Sequence, residues 1–574
     1  MLKLDRSTWD THWRELGDVF NPRRYGKPLY EANKGRKKNE KILNPIGQLA
    51  IRTLAAGMMS GITSPSRPWM RLTLADETLA DQVEAAEVWL YETTQRMLAQ
   101  LARTNFYNVA SASTYPDLAT WGTHATMVLK DPKTLLRFYP LQIGEYYLAS
   151  SFRGEIDTAY REFVLTVGAL VEEFGYDQCT TRVQQFWDQG KYDVRIPVLH
   201  AVEPNRDHDP RRGDWRGKAW TAVWLESSTP EDKKAGLLRK SGHSRFPGLT
   251  PRWTVDGQDV YGRSPGMDAL PTAKQLQKLE YRLALEVALI SQPPQSAPAS
   301  IGDEGGVNSS PGGVTYRPSS GNPAADKIEP IVDTAAIASA IQHTEHAIER
   351  REKRVREFFF SDFWLAILND ERTTPATAEE VRAKKEERML QLGPVLEQIQ
   401  TEFLEPLVEM LFDAMLEAGL IDPPPQELVD AARQKGQGSI VFEVEYVSIA
   451  AAAQRALGLT SVRSFLEVVA QGQQFDPQAL DNVDVDVLVQ DAARILGVNP
   501  KIVKAMDVVK QLRAARAQQQ HAQEQGQAML AATQGAKNLG TTPAPSPDNA
   551  LGNVLASMGP QASQLLPAPT NQMP

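Results

Sequence analysis

Gly262-Arg263-Ser264-Pro265-Gly266 is the stretch whose residue types and spacing most invite a chemical reading, because it fits the G-x-S-x-G nucleophile elbow. It lies between a strand-like stretch and a helical one, as an elbow would. The chemistry fails one residue later. The oxyanion hole of that motif uses the backbone N–H after the serine, and Pro265 has none. Downstream histidines are confined to His343, His346 and His521, all in polar helical stretches. A tight turn leading into a helix is the better account. Asp481, Asp484 and Asp486 suggest a calcium loop, but the spacing lacks the Gly at the sixth position and the Glu at the twelfth. They read instead as solvated aspartates at a helix start. His343 and His346 stand three apart on a helix, without a recognised third metal ligand. No G-x-x-x-x-G-K-[ST] occurs, so no P-loop fuel site is encoded. The expectation is a protein that is not an enzyme, with no catalytic, cofactor-binding or metal-ligating residue.

Composition narrows the classes further. The 574 residues suffice for two to four packed regions, and 42% hydrophobic with 23% charged residues suits a buried core. With 62 basic and 71 acidic residues the net charge is −9, whereas tight nonspecific DNA binding draws its affinity from an excess of Lys and Arg. Cys179 is the one cysteine, which excludes an intramolecular disulfide framework and suits a reducing cytoplasm. Met1 to Arg6 lacks an apolar signal core, and no run approaches the length of a membrane span.

The elements are organised around Leu270 to Phe360. Leu276, Leu279, Leu283, Val287 and Ile290 recur every three or four residues on one helix face. Ile337, Ile341, Ile348 and Val355 share a face of a second helix, extended by Phe358. Between them, Gln292 to Pro323 holds six Pro and six Gly, which excludes helix and leaves one strand-like fragment, Val314-Thr315-Tyr316. Upstream, helices over residues 1–60 and 77–112 flank a short strand, Met70 to Leu74. Strands are expected at 125–129, 136–139, 146–149, 158–164, 194–202 and 220–225, with a helix at 167–174 closed by Gly175. A basic run at Lys34, Arg36, Lys37, Lys38 and Lys41 reads as a solvated face. Downstream, Thr377 and Glu380 have capping-box spacing, a helix runs to Ala418, and Ser439 to Val447 alternates as a strand. Gln511 to Gln534 is Ala/Gln-rich and helix-compatible, and Thr541 to Pro574 reads as disordered. The fold class is α+β, predominantly helical.

Five segments in chain order resemble the head-to-tail connector, or portal, family of short-tailed bacteriophages. They are Met58 to Trp69, Tyr139 to Tyr147, Pro251 to Trp253 with Tyr261 to Gly266, Arg372 to Val381 (a looser match), and Leu480 to Asp484. The resemblance implies a ring, expected to be a dodecamer, at one capsid vertex of the virion, assembled in the host cytoplasm. Its subunits would be built from a wing (1–269 and 376–447), stem helices (270–291 and 335–357), a clip (292–334), a channel loop (358–375), a crown (448–510), a barrel-like helix (511–534) and a disordered tail (535–574).

By the same resemblance the partners are double-stranded DNA in the channel, terminase, a tail adaptor, and the major capsid and scaffolding proteins, with no membrane and no cofactor. Twelve such chains carry −9 × 12 = −108 charges, an acidic wall along which DNA slides rather than sticks. The sparse basic contacts are Arg350, Arg351, Lys353, Arg354 and Arg356, for which helix salt-bridging with Glu349, Glu352 and Glu357 is an equal account. Phe363, Trp364, Ile367 and Leu368 either line a constriction or pack between neighbouring subunits. Leu276, Leu279, Leu283, Val287, Ile337, Ile341, Ile348 and Val355 form the stem seam. The alternative is another virion component, a tail adaptor or scaffold, without a conduit.

Overall fold

The computed structural model describes residues 1–25, 40, 42–74, 84–226, 236–299, 307–322, 326–368, 392–434, 442–446 and 506–540, with residues 469, 487–489 and 502 singly or in a short run. The expectations for Lys34, Arg36, Lys37, Lys38 and Lys41, for Asp481 to Asp486, for the capping box at Thr377 and for the tail lie outside these residues. The chain divides into two units, Met1–Ala479 and Leu480–Pro574.

In the first unit, α1 (Leu2–Phe20) buries Trp13, Leu16 and Phe20, a three-and-four spacing that makes one apolar stripe. Helix α2 (Ile46–Gly61) buries a face rich in Gly and Ala. There β1 (Met70–Leu74) follows, then α3 (Glu84–Arg103), α4 (Phe106–Val109), a π turn at Ala110–Thr114, and α5 (Tyr115–Trp121). Gly122 ends α5 at φ +75°, where a Cβ would also meet the Gly262 carbonyl oxygen at 2.6 Å, so only glycine fits.

Strands β2 (Thr126–Asp131) and β3 (Leu135–Pro140) pair antiparallel. Next, β4 (Tyr146–Ser150) and β5 (Ile156–Thr166) lead to α6 (Val167–Phe174) and α7 (Thr181–Asp188). They are followed by β6 (Arg195–Pro204), β7 (Trp220–Glu226) and β8 (Leu237–His243), and the five strands β4-β5-β6-β7-β8 form an antiparallel meander. Helices α6 and α7 seal it with a separate core of Phe163, Val167, Leu170, Val183, Ile196 and Val198. Two-residue β9 (Gly248–Leu249) adds to β2.

Helix α8 (Pro265–Ser291) then leaves this body. Strand β10 (Gln295–Pro298) pairs parallel with β11 (Val314–Arg317) and antiparallel with β12 (Glu329–Pro330). Helix α9 (Thr334–Phe358) returns against α8, capped by Asp333, whose carboxylate accepts from the Ala335 and Ala336 amides. The short α10 (Ser361–Leu368) turns into the body. After it come helical residues 392–399, a π turn at Gln400–Leu404, α11 (Glu405–Glu417) and α12 (Gln426–Gln434). Finally β13 (Phe442–Tyr446) pairs antiparallel with β1 across almost the whole length of the unit, Met70 opposite Tyr446. The mixed α+β class stands. The principal core runs from α1 and α2 through α5 to α11. In the second unit, α13 (Met506–Gly540) is one helix whose side chains are exposed from 508 to 527 apart from half-buried Val509. No helix among the described residues is long and apolar enough to cross a membrane.

Candidate functional site: the two-helix stem and its base

Ser264 caps α8. Its hydroxyl donates to the Thr120 carbonyl at 2.8 Å and accepts from the Met267 amide at 3.1 Å, so both of its capacities are used. Pro265 occupies the first helical turn, where a missing N–H costs nothing. The helix therefore starts five residues before the expected Leu270.

An ion pair between buried Arg252 and half-buried Glu402 holds the approach to this cap. Arg252 donates from Nε to Glu402 at 2.9 Å, and its other nitrogens reach the Gly154 carbonyl at 2.8 Å and the Asp259 carbonyl at 3.2 Å. Glu402 also accepts from the Arg252 amide at 2.9 Å and from Gln398 at 2.6 Å. The guanidinium is thus satisfied on every side, as a buried charge must be. The pair ties the π turn before α11 to the strap before α8.

A second tie crosses the stem itself. Asn44 is buried and donates from Nδ2 to Glu280 of α8 at 2.6 Å and to Glu352 of α9 at 2.7 Å. Gln277 accepts from the Leu43 and Asn44 amides at 2.7 and 2.9 Å and returns a bond to the Asn44 carbonyl. One asparagine thus bridges α8 and α9 through a glutamate of each.

The seam residues separate by position. Leu276, Ile348 and Val355, near the body, are buried; Leu279, Leu283, Ile337 and Ile341 are half-buried; Val287 is 47% exposed. Tyr281 and Leu285 on α8 are also exposed, and so are Ala335, Ala336, Ala338 and Ala340 on α9. Of the basic residues, Arg356 pairs with Glu352 at 3.3 Å and Arg351 donates to Gln275 and to the Ala347 carbonyl. Arg350, Lys353 and Arg354 carry exposed charges. His343 and His346 are exposed, and His346 faces Glu349 at 3.3 Å.

The aromatic pair Phe363 and Trp364 is buried within its own chain. The reason is the glycine face of α2: a Cβ on Gly57 or Gly61 would stand 2.3 or 2.8 Å from the Trp364 ring, so the indole fills space that only glycine leaves. Ile367 and Leu368 continue α10.

Sequence reading missed one grouping. Asp117, His124 and Thr126 form a line, with His124 Nδ1 2.8 Å from Asp117 and Nε2 2.6 Å from the Thr126 hydroxyl. It has the outline of a catalytic relay, yet all three are buried and Asp117 is also bound by Arg24, whose Nε donates at 3.0 Å. Burial lowers the His124 pKa, helped by Arg24 and opposed by Asp117, which keeps the ring neutral. Without access for a substrate, the line pins α5 to β2.

A profile of the family described as "Bacteriophage head to tail connecting protein" matches residues 1–503. The probable portal protein of Bordetella phage BPP-1 is 37% identical over 558 residues, covering 96% of each chain. The portal protein of Salmonella phage epsilon15 is 36% identical over 552 residues, covering 95% of each.

Proposed function

Because the chain belongs to the bacteriophage head-to-tail connecting, or portal, protein family, we propose that it is a virion subunit whose copies close into a ring around double-stranded DNA. The ring is the conduit in packaging and ejection, and it docks terminase at one stage and the tail adaptor at another. Its role is structural. Twelve subunits at one capsid vertex is the number put forward, with the body as wing, α8 and α9 as stem, and β10 to β12 as the clip that meets the adaptor.

The observation that carries this reading is the outer half of the stem. From Leu283 to Ile290 α8 is apolar on nearly every face, broken by Glu286 alone, and Tyr281, Leu285 and Val287 stand in solvent. A helix apolar all round calls for cover. The two outward faces differ, large on α8 and alanine-rich on α9, which suits a head-to-tail contact between copies, the kind that closes rings. Arg350, Lys353 and Arg354 are the proposed basic contacts with DNA.

Two measurements test it. Images down the particle axis should show a central opening; a lumen lined chiefly by Lys and Arg, or no opening, would overturn the conduit. Cross-linking tests the seam, since the native Cys179 is buried. Leu285→Cys mixed with Ala340→Cys should cross-link between chains, and neither variant alone should. A Leu285→Cys protein that cross-links to itself would mean a two-fold contact instead.

A further inference from the structure

The loop between β6 and β7 gathers cations without countering them. Asn205 fixes it from inside, its side-chain amide reaching the Trp215 and Lys218 carbonyls at 3.2 and 2.8 Å. The Asp209 amide closes it on the Arg216 carbonyl at 2.8 Å. Two of its aspartates are taken up locally. Asp209 accepts from the Arg211 amide at 3.2 Å and Asp214 from the Arg216 amide at 3.1 Å, and both face Arg212, at 4.0 and 3.7 Å. The loop is pressed onto β8, the last strand of the meander: a Cβ on Gly242 would stand 2.9 Å from the Trp215 carbonyl oxygen. There Lys240 of β8 sits over the Trp215 ring at 3.4 Å and Arg216 over the same ring at 5.0 Å, while the Lys218 ammonium bonds to Ser244 Oγ at 3.0 Å. All three cations are exposed, and none pairs with a carboxylate among the described residues. The neighbouring His243 registers the same field, its pKa lowered by burial and further by the Lys130 and Lys218 charges.

We infer that Arg216, Lys218 and Lys240, ordered around the Trp215 indole, form a docking site for an acidic peptide segment of a partner protein. An indole orients a cation through its ring quadrupole but leaves the charge uncancelled. Three like charges therefore stay together on a chain whose net charge is −9, and such a patch draws anions to it. Its size favours a peptide over nucleic acid. Duplex DNA draws its affinity from many phosphate contacts along a broad excess of Lys and Arg. Here only three uncompensated cations stand together, flanked by Asp207, Asp209 and Asp214. Two or three carboxylates on an extended segment match that charge. The loop is held by its own hydrogen bonds, so the cations are in place before the partner arrives and little ordering is left to oppose binding. The inference does not depend on ring formation.

Fluorescence anisotropy of a labelled octaglutamate peptide with the full chain tests it. The peptide should bind at low salt and loosen as salt rises, because exposed charges are screened. Arg216→Gln, Lys218→Gln and Lys240→Gln combined should weaken binding about tenfold or more. Lys133→Gln, which removes an exposed lysine from the β2–β3 turn, should leave it unchanged. Trp215→Leu keeps every charge and removes the ring that orders them, and it should weaken binding about threefold. No binding at low salt, or equal binding by the combined variant, would overturn the site. A short DNA duplex that displaced the peptide at lower concentration than unlabelled octaglutamate would overturn the acidic partner. The single Gln variants, all at exposed positions, decide the matter even where the combined one fails to fold.

Discussion

The two halves of the stem share a period and a set of residue types, yet their fates differ. Near the body, Leu276, Ile348 and Val355 are sealed, and Asn44 clasps α8 to α9 through Glu280 and Glu352. Away from it, Tyr281 is 66% exposed and Leu285 41% exposed on the same helix that buries Leu276. Helical periodicity gives a face but does not say what covers it. The body covers the inner half, and on the present reading a second copy covers the outer one. On that reading one half serves folding and the other assembly, and substitutions should separate the two.

The largest effect is expected at the base. Glu402→Ala strands the buried Arg252 guanidinium, and it should lower unfolding stability by about 3–5 kcal/mol, seen as a large drop in the denaturant midpoint. Next comes the contrast along the stem. Leu276→Ala should cost about 2–5 kcal/mol, as for other sealed leucines. Leu285→Ala should stay within about 0.5 kcal/mol in the single chain while ring yield, read by mass photometry, falls. Equal stability losses at the two positions would erase the division between the halves.

A third prediction concerns the meander, which has its own core. Burial, with Arg161 and His243 adding, pulls the His200 pKa down to about 3, and the ring stacks on Trp224 at 3.8 Å. The unfolded chain binds this proton near pH 6.5 and the folded chain only near 3. The stability due to neutral His200 is therefore fully present above the unfolded value and is lost as pH falls between them, by up to about 1.4 kcal/mol per pH unit. His200→Gln should flatten the midpoint-against-pH curve over that window. Smallest of all, Lys130→Ala removes an exposed pair with Glu417 and should change stability by no more than about 1 kcal/mol.

Much of the fold was legible because its signals are local. The strand at Met70–Leu74 and the helix at Val167–Phe174 fall where alternation and the Gly175 stop put them. Helices α8 and α9 follow the apolar period read for them, and the structure adds Ser264 and Asp333 as their caps. The strand β8 escaped notice because Leu237 to His243 is mostly polar on an edge, with no clean alternation. Parallel pairing of β10 with β11 was invisible too, since no periodicity encodes which strand lies alongside.

The amino-acid sequence by itself determined most of the element types, the missing N–H at Pro265 that argues against a serine elbow, and the family through ordered motifs. Only the tertiary structure decided that Trp364 belongs against Gly57, that Arg252 belongs to Glu402, and that Tyr281, Leu285 and Val287 of α8 stay exposed. Each of these joins residues far apart in the chain or depends on what is absent beside a helix. Local propensity acts over a few residues, whereas burial and charge pairing are properties of the finished packing.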